Sequence, residues 1–397
     1  MLIDMHIDYP ARLAAARARM AAQGIGLMYL RAGANLFYLT GIPRHEEGGT
    51  DHNAYGDWAV GGYLGPSGGV TLLAPRMGGG YFDAEARDKP WIEAVRHIDE
   101  SEAPLDVMRQ TVSHYMPAAG AGQSQRGTKL ALDDRTWAKS VLAFRQLLPA
   151  AEFVLASDVT MPLRLIKSPA ELGLMRKAGE ITETAFALAL ARLKPGVSEH
   201  DIASEVDYQF KSHGAAHTSF VTGMRFIGAG GAEGEGIGRV GMRRLTPGDT
   251  VTFDIGCVYE GYCSDFGRTA FLGEPPAEFL RIHDIILGSQ RAGMEAMQAG
   301  QSTGAQVNAA ARKVIEDAGY GQYFTHRLGH GIGITVHEPP WLDVVEQTVL
   351  QANMTFTVEP SIYIPGRFGN RVEDIVVVTD TGGMALYNTG RQLYVIS

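Results

Sequence analysis

The chain contains only two cysteines, Cys257 and Cys263, and no long run of apolar residues. Two cysteines cannot build the disulfide framework of a small secreted domain, so we expect both to be thiols in a core. No segment reaches the ~20 apolar residues that a membrane-spanning helix requires. The opening segment MLIDMHIDYP carries early acidic residues and lacks the apolar stretch of a signal peptide. These absences predict a globular cytoplasmic protein that does not contact a membrane.

Positive charge is scarce as well, because 35 Lys and Arg residues face 44 Asp and Glu residues and leave a net charge of -9. Binding to nucleic-acid phosphates requires clustered Lys and Arg, so nucleic acid is excluded as the main partner. Apolar residues make up 45% of the 397 residues, which is enough for two domains with sizeable cores.

The order of helical and strand patterns divides the chain into two predicted domains. Residues 1–160 alternate the two patterns, which is typical of an α/β domain. Ser168 and Glu171 then form the cap of a new helix, and Ser198 begins another. Strands, two helices and further strands complete the chain. We therefore predict an α/β N-terminal domain over residues 1–160 and an α+β domain over residues 161–397.

The segment TVTFDIGCVYEGYCSDFGRTAFL predicts a β-hairpin that carries two carboxylates. Residues 251–259 and 262–272 have strand patterns, and a Glu-Gly pair forms the tight turn between them. Folding this hairpin places Asp254 nearly opposite Asp265. Burying two unpaired carboxylates costs on the order of several kcal/mol each, and a cation between them removes that cost. The alternative is one structural aspartate and one that faces solvent.

Three histidines, His326, His330 and His337, lie close together in the segment THRLGHGIGITVHEPP. Imidazole is the commonest nitrogen ligand for metal ions, and the glycines beside His330 let another backbone approach closely. The H-E-x-x-H helix of zinc peptidases is excluded, because two prolines follow His337 and Glu338. Three histidines in one glycine-rich segment indicate a site rather than isolated core or surface residues.

The segment TFTVEPSIYIPGRFGNRVEDIVVVT places one glutamate at each of two strand ends. Glu359 closes an apolar strand, and Glu373 opens the next one. Arg371 lies two residues before Glu373, so both side chains share one face of a strand. The alternative is a strand-end glutamate together with a separate Arg–Glu pair.

The four carboxylates and one imidazole form an oxygen-rich donor set. Such a set suits Mn, Co, Fe or Zn ions in a hydrolytic site and does not suit a structural tetrahedral zinc site. Four negative charges match two divalent ions, which about 3.5–4 Å apart can share a hydroxide and polarise a carbonyl. We therefore predict a dinuclear metal-dependent hydrolase whose candidate ligands are Asp254, Asp265, His330, Glu359 and Glu373.

The motifs FDIG…SDFGRT, GHGIG…HE-P and EPSIYIPG…RVED resemble the pita-bread metallopeptidases. This family includes methionine aminopeptidase, aminopeptidase P and prolidase, with creatinase as a relative that lacks the metal. The resemblance covers residues 165–397, and the first 160 residues resemble the N-terminal domain of prolidase and creatinase. It implies a pita-bread catalytic domain of Xaa-Pro dipeptidase or aminopeptidase type, two metal ions such as manganese, a small peptide or amide substrate, and a homodimer.

The same resemblance implies roles for single residues. Asp265 and Glu373 would bridge the metals, and Glu359 would act as general acid and base near the attacking water. His337 would steady the substrate carbonyl, and Arg371 would orient the substrate or Glu373. His326 resembles the further histidine of prolidase-type members. The short gap between the two glutamates and the long N-terminal domain favour the prolidase type over bacterial methionine aminopeptidase.

One departure concerns residues 228–241, GAGGAEGEGIGRVG. Prolidase-type members carry a histidine shortly before the Pro-Gly-Asp turn, whereas the nearest upstream histidine here is His217. The stretch contains a formal G-x-G-x-x-G, but a turn and a strand follow it, so we predict a flexible loop beside the site instead of a nucleotide site. The departure leaves open an amidohydrolase resembling ectoine hydrolase or creatinase, and a lyase acting on a sulfonium acid. A non-catalytic binding module is disfavoured by the five candidate ligands.

Two further histidines, His45 and His52, lie in the segment IPRHEEGGTDHNAYGDW. They either belong to a polar surface loop, which we favour, or reach a site across a dimer.

Overall fold

The computed structural model describes residues 5–44, 55–116, 128–228 and 241–397. The chain forms two compact units. One comprises Ile7–Arg164, and the other comprises Leu165–Ser397 together with the described residues that precede Ile7. No helix in these described ranges combines the length and the apolarity of a membrane-crossing segment.

The N-terminal unit has the predicted α/β character, with a six-stranded sheet in the order β4-β3-β2-β1-β5-β6. Strand β2 pairs antiparallel with β1 and β3, and the remaining neighbours are parallel. Its helices are α1 (Tyr9–Gln23), α2 (Ala34–Thr40), α3 (Gly79–Ala86), α4 (Pro104–Tyr115), α5 (Ala138–Leu147) and α6 (Ser157–Arg164). Its strands are β1 (Ile25–Leu30), β2 (Gly61–Leu64), β3 (Val70–Pro75), β4 (Ile92–Ile98), β5 (Lys129–Leu132) and β6 (Glu152–Leu155).

Over its described residues, the C-terminal unit combines four α-helices with several small sheets that are mostly antiparallel. Its helices are α7 (Pro169–Leu190), α8 (Glu199–Ser212), α9 (Ala277–Ala296) and α10 (Gly304–Asp317). Its first strands are β7 (His217–Thr218), β8 (Gly223–Ile227), β9 (Thr250–Ile255), β10 (Cys257–Tyr259), β11 (Tyr262–Cys263) and β12 (Phe266–Leu272). The later ones are β13 (Gly329–Gly331), β14 (Glu338–Leu342), β15 (Thr355–Val358), β16 (Ser361–Ile364), β17 (Phe368–Arg371), β18 (Asp374–Thr379), β19 (Gly382–Ala385) and β20 (Tyr394–Ile396).

Two sheets of this unit carry the candidate ligands. One has the order β20-β12-β9-β8, and the other has the order β14-β13-β15-β18-β19. Helices α9 and α10 pack on each other, and both contribute to a hydrophobic cluster with residues of β15 and β18. The predicted start of α7 is confirmed, because Ser168 and Glu171 form a reciprocal capping box. The helices thus give the ligand-bearing strands a rigid support.

The predicted hairpin is interrupted, so the expectation of two unbroken strands over 251–259 and 262–272 was wrong. The break lies at Gly256, where a Cβ atom would approach the Ser264 carbonyl oxygen to 2.2 Å. The Ser264 hydroxyl also accepts a hydrogen bond from the Cys257 amide at 2.8 Å, in place of a regular ladder bond. Asp254 therefore pairs with Gly267, and Asp265 lies in the gap just before β12.

Two other predictions for this hairpin are confirmed. Its turn is tight, with positive φ angles of 45° at Glu260 and 80° at Gly261. Both cysteines are buried free thiols.

Candidate metal centre

The residues predicted as metal ligands or catalytic groups all line one cavity of about 590 Å³ in the C-terminal unit. Strand β9 and the gap before β12 supply two aspartates, and β13 supplies a histidine. The end of β15 and the residue before β18 supply the two glutamates. The predicted residues at the cavity are Asp254, Asp265, His326, His330, His337, Glu359, Arg371 and Glu373.

Close backbone approach shapes the strand that carries His330. A Cβ atom at Gly329 would lie 1.9 Å from the Thr357 carbonyl oxygen, and one at Gly331 would lie 2.6 Å from the Glu338 carbonyl oxygen. Only glycine fits at these two positions without a shift of the neighbouring backbone. The glycines therefore let β13 lie tightly between β14 and β15 and bring the imidazole to the cavity.

A compact trio forms the centre of the site. Donor atoms of Asp265, His330 and Glu373 all lie within 4.8 Å of one another, and all three residues are buried. The Nε2 atom of His330 is 3.6 Å from Asp265 Oδ2 and 3.5 Å from Glu359 Oε1. The backbone of Asp265 is fixed by Tyr387, whose hydroxyl accepts from the Asp265 amide at 3.0 Å and donates to its carbonyl at 2.6 Å.

The hydrogen bonds of His330 determine which ring nitrogen is free. Its Nδ1 atom is 3.0 Å from the Gly331 carbonyl oxygen, which can only accept, so Nδ1 carries the hydrogen. Burial, and then the neighbouring His337, lower the pKa of His330 to about 3, so the ring is neutral near pH 7. The Nε2 lone pair therefore points at two carboxylates, an arrangement that a cation would stabilise.

Two buried carboxylate oxygens test whether metal ions fit here. Asp265 Oδ1 and Glu373 Oε2 have no hydrogen-bond partner among the described residues. Burial raises the pKa of Asp265 well above its usual range, and Asp254 and Glu359 raise it further. Burial likewise raises the pKa of Glu373, with Asp265 as the next cause. Because these groups repel one another and lack donors, the residues present fit divalent cations.

Arg371 connects three of the carboxylates. Its Nη1 atom donates to Asp254 Oδ2 and lies 3.9 Å from Glu373 Oε2. Its Nη2 atom lies 3.4 Å from Glu359 Oε2. The predicted proximity of Arg371 to Glu373 is present, but the shorter contact is with Asp254. Arg371 therefore balances part of the negative charge and limits where the Asp254 side chain can turn.

The two other histidines occupy different positions in the cavity. His326 is held in the wall, with Nδ1 2.6 Å from the Arg327 carbonyl oxygen and Nε2 2.5 Å from Ser361 Oγ. Burial, and then Arg371, lower the pKa of His326 to about 4. His337 is exposed, and its ring centroid lies 4.2 Å from that of His330. Its exposed ring is accessible to a substrate beside the buried trio.

Sequence reasoning missed Thr357 and Arg327. The Thr357 hydroxyl accepts from the His330 amide and donates to Glu359 Oε1, both at 3.1 Å. The alternation in TFTVE places Thr357 and Glu359 on one strand face, so this pair could have been found. The Arg327 guanidinium lines the cavity and lies 4.3 Å from the Trp341 ring. No local pattern distinguishes Arg327 from an ordinary surface arginine.

Several other candidates do not reach the cavity or cannot be assessed. His217 lies on β7 and is not among the lining residues. His45 and His52 lie outside the described residues, as do residues 229–240, which form most of the glycine-rich stretch predicted to be a loop beside the site.

Comparison with known proteins identifies families for both units. Residues 173–380 match metallopeptidase family M24, and residues 12–166 match the creatinase/prolidase N-terminal domain. The Xaa-Pro dipeptidase of Pyrococcus furiosus is 32% identical over 322 residues, which cover 80% of this chain and 89% of that protein. The Xaa-Pro dipeptidase of Lactobacillus delbrueckii subsp. lactis is 39% identical over 241 residues, covering 60% of this chain and 64% of that protein. The match thus spans slightly less than two thirds of the Lactobacillus enzyme.

A solved structure extends the likeness over nearly the whole chain. The prolidase from Thermococcus sibiricus has a TM-score of 0.85 and 30% identity, and the match covers 98% of this chain and 100% of that one. This agreement confirms the resemblance that the motifs indicated, and with it the creatinase-type N-terminal domain and the pita-bread catalytic domain. The chain belongs to metallopeptidase family M24 and is a metal-dependent, Xaa-Pro dipeptidase-like hydrolase.

Proposed function

We propose that this chain is an Xaa-Pro dipeptidase that cleaves the bond before a C-terminal proline with the help of two divalent cations. The observation that carries the proposal is the pair of buried oxygens without donors, Asp265 Oδ1 and Glu373 Oε2. They lie in the same cavity as the His330 Nε2 lone pair. The names of the relatives from Pyrococcus furiosus and Lactobacillus delbrueckii support the choice of substrate.

In this proposal, five residues would hold the two cations, which would be Mn, Co, Zn or Fe ions. Asp265 and Glu373 would contribute the two unpartnered oxygens to this set. Bound there, the cations would lower the pKa of a water molecule and polarise the scissile carbonyl. The proposed ligands are Asp254, Asp265, His330, Glu359 and Glu373.

The remaining steps are assigned to side chains of the cavity. Glu359 accepts a proton from the attacking water and delivers it to the leaving nitrogen. Its carboxylate is oriented for this by the Thr357 hydroxyl at Oε1 and by Arg371 near Oε2. His337, at the exposed side of the trio, donates a hydrogen bond to the carbonyl oxygen as negative charge develops.

The charge at the cavity wall supports a short substrate with a free carboxylate. The Arg327 guanidinium lines the cavity and lies over the Trp341 ring. An arginine fork of this kind binds carboxylates well. A terminal carboxylate next to the scissile bond exists in a dipeptide, so Arg327 favours dipeptides over longer peptides.

The proposal also includes a cytoplasmic homodimer. The dimer is supported by a general observation, since twofold dimers are the commonest oligomers. The cytoplasmic location is supported by the small number of cysteines in the chain. Sedimentation velocity of the purified protein would measure the oligomeric state, and a monomer at all concentrations would contradict this part of the proposal.

A second candidate is a hydrolase of small non-peptide amides or a lyase of sulfonium acids. The observation in its favour is the lack of a histidine in residues 228–241, where prolidase-type members carry one. The two candidates share the metal site and differ in substrate, and the lyase also differs in the reaction that it catalyses.

One experiment separates these candidates. Metal-stripped protein is reloaded with Mn, Co, Zn or Fe and incubated with Xaa-Pro dipeptides, matched Xaa-Ala dipeptides, Xaa-Pro-amides, cyclic amides and sulfonium acids. We expect cleavage of Xaa-Pro dipeptides alone or most rapidly. Glu359→Gln should lower this rate by roughly 10²–10⁴-fold, the usual contribution of a general base. If no metal supports cleavage of any Xaa-Pro dipeptide, the proposed specificity is wrong.

A further inference from the structure

Helix α9 carries a buried glutamine that contacts both glutamate-bearing strands from behind the cavity. Gln290 is 1% exposed. Its Nε2 atom is 3.2 Å from the Val358 carbonyl oxygen, 3.3 Å from the Val372 carbonyl oxygen and 3.0 Å from Asp374 Oδ2. All three neighbours can only accept hydrogen bonds, so the amide nitrogen, and not the oxygen, faces them.

These contacts lie where the backbone ladder between β15 and β18 ends. The last paired residues are Val358 and Asp374. Beyond them, the Glu359 amide donates to the Leu328 carbonyl and the Glu373 amide donates to the Gly267 carbonyl, both at 2.9 Å. The backbones of the two glutamates therefore turn to different strands, and the glutamine side chain connects them at this point.

Because the peptide bond is planar, the hydrogen bonds of Gln290 also influence the direction of the two glutamate side chains. The Val358 carbonyl belongs to the same rigid plane as the Glu359 amide, and the Val372 carbonyl to the same plane as the Glu373 amide. Fixing each oxygen therefore fixes the plane from which the glutamate side chain projects. Gln290 holds both oxygens at once and so couples the positions of the two carboxylates.

We propose that Gln290 is a positioning residue that sets the spacing of the Glu359 and Glu373 carboxylates and thereby the affinity of the site for divalent cations. The inference rests on the proposed metal-binding roles of these two glutamates. Partners outside the coordination sphere orient metal ligands, and their loss commonly weakens metal binding by about 10–100-fold. Gln290 fits this role because it lies behind the strands: it is not among the residues that line the metal-site cavity, although it borders a separate cavity between α9 and β19.

The neighbouring residue on the same helix provides a matched control. Ser289 is as deeply buried as Gln290, and its hydroxyl donates to the Ala311 carbonyl oxygen on α10 at 2.8 Å. Its hydrogen bond therefore points to the next helix and not to the glutamate strands. Ser289→Ala removes one buried hydrogen bond from α9 without touching the proposed connection.

The test measures metal affinity directly in the full-length chain. Mn²⁺ is titrated by calorimetry into four metal-free proteins: the wild type, Gln290→Met, Gln290→Asn and Ser289→Ala. The unfolding of each metal-free protein is also recorded. Met keeps the length of the side chain and removes the donors, whereas Asn keeps the amide but shortens its reach. We expect about 10–100-fold weaker binding for Gln290→Met, a smaller loss for Gln290→Asn and wild-type affinity for Ser289→Ala.

A steady-state assay at saturating Mn²⁺ adds a second readout. Because Gln290 acts on the ligands and not on the substrate, KM for the dipeptide should equal that of the wild type. Wild-type Mn²⁺ affinity in a folded Gln290→Met protein would overturn the inference, as would an equal loss of affinity in Ser289→Ala. If Gln290→Met does not fold, wild-type affinity of Gln290→Asn has the same meaning. Metal binding without dipeptide cleavage in the wild type would refute the proposed function and leave this inference standing.

Discussion

The substitution Asp265→Asn should have opposite effects on the stability of the metal-free protein and on the stability that metal binding adds. The four carboxylates proposed as ligands lie in one cavity with Arg371, and two buried oxygens, Asp265 Oδ1 and Glu373 Oε2, lack donors among the described residues. Asparagine cannot carry a negative charge and brings an amide that can donate to Glu373. We therefore expect the metal-free variant to be more stable than the metal-free wild type, although it loses a proposed ligand.

The size of this effect follows from the unpaired atoms. A buried polar group without a partner costs about 1–3 kcal/mol. A hydrogen bond from the introduced asparagine amide to Glu373 should therefore raise the free energy of unfolding by an amount of this order. For a unit of this size, 1 kcal/mol shifts the melting temperature by roughly 2–4 °C. The metal-free Asp265→Asn protein should thus melt several degrees above the wild type.

Thermal unfolding with a chelator and with excess Mn²⁺ measures both effects. We expect the wild type to gain stability from Mn²⁺ and Asp265→Asn to gain little, because ligand binding stabilises only the state that binds. Asp317→Asn is the control, since Asp317 is an exposed partner of Lys313 on α10. A lower melting temperature of Asp265→Asn in chelator, or an undiminished rise with Mn²⁺, would refute this account of the charge balance.

Three further substitutions test the scaffold around the site. Arg268 is buried and donates to Asp374 and to four carbonyl oxygens. Arg268→Met should therefore lower the free energy of unfolding, measured by denaturant titration, by about 3–5 kcal/mol. Arg268→Lys should lower it by less. Burial lowers the pKa of His283, so the folded state favours the neutral ring. The free energy of unfolding of the wild type should therefore fall as the pH drops below about 6.5, the usual pKa of an unfolded histidine. His283→Gln should lose less stability than the wild type between about pH 7.5 and 5. Ser168→Ala removes the cap of α7 and should cost about 1 kcal/mol, measured by the same titration.

Local features of the fold could be predicted because their causes lie within a few residues. Gly24 ends α1 in the left-handed conformation, with a φ of 71°, and Ser168 begins α7 through its own neighbour Glu171. The break in the hairpin could not be predicted in this way. It depends on how closely Gly256 and Ser264 approach each other after folding, and a strand pattern carries no information about that distance.

The same limit applies to the site. The residue types and their order indicated the candidate ligands, but the donor of Asp254 is Arg371, which lies on a distant strand. The role of Gln290 could not be predicted from the sequence for a related reason. A glutamine in an amphipathic helix is ordinarily exposed, and only the packed structure reveals that this one faces the ends of β15 and β18.

The paired backbones of Gly267 and Glu373 have a consequence for how the protein matures. Each amide of this pair donates to the carbonyl of the other, at 3.3 Å and 2.9 Å, and joins segments far apart in the chain. During synthesis, Asp254, Asp265 and His330 leave the ribosome well before the glutamate that completes the site. The proposed ligands are far apart in sequence, unlike those of a zinc finger, so we do not expect metal to nucleate folding of this chain. Under the proposed function, metal loading would therefore follow the folding of these segments, and the ions available to the folded protein would decide which ones the site carries.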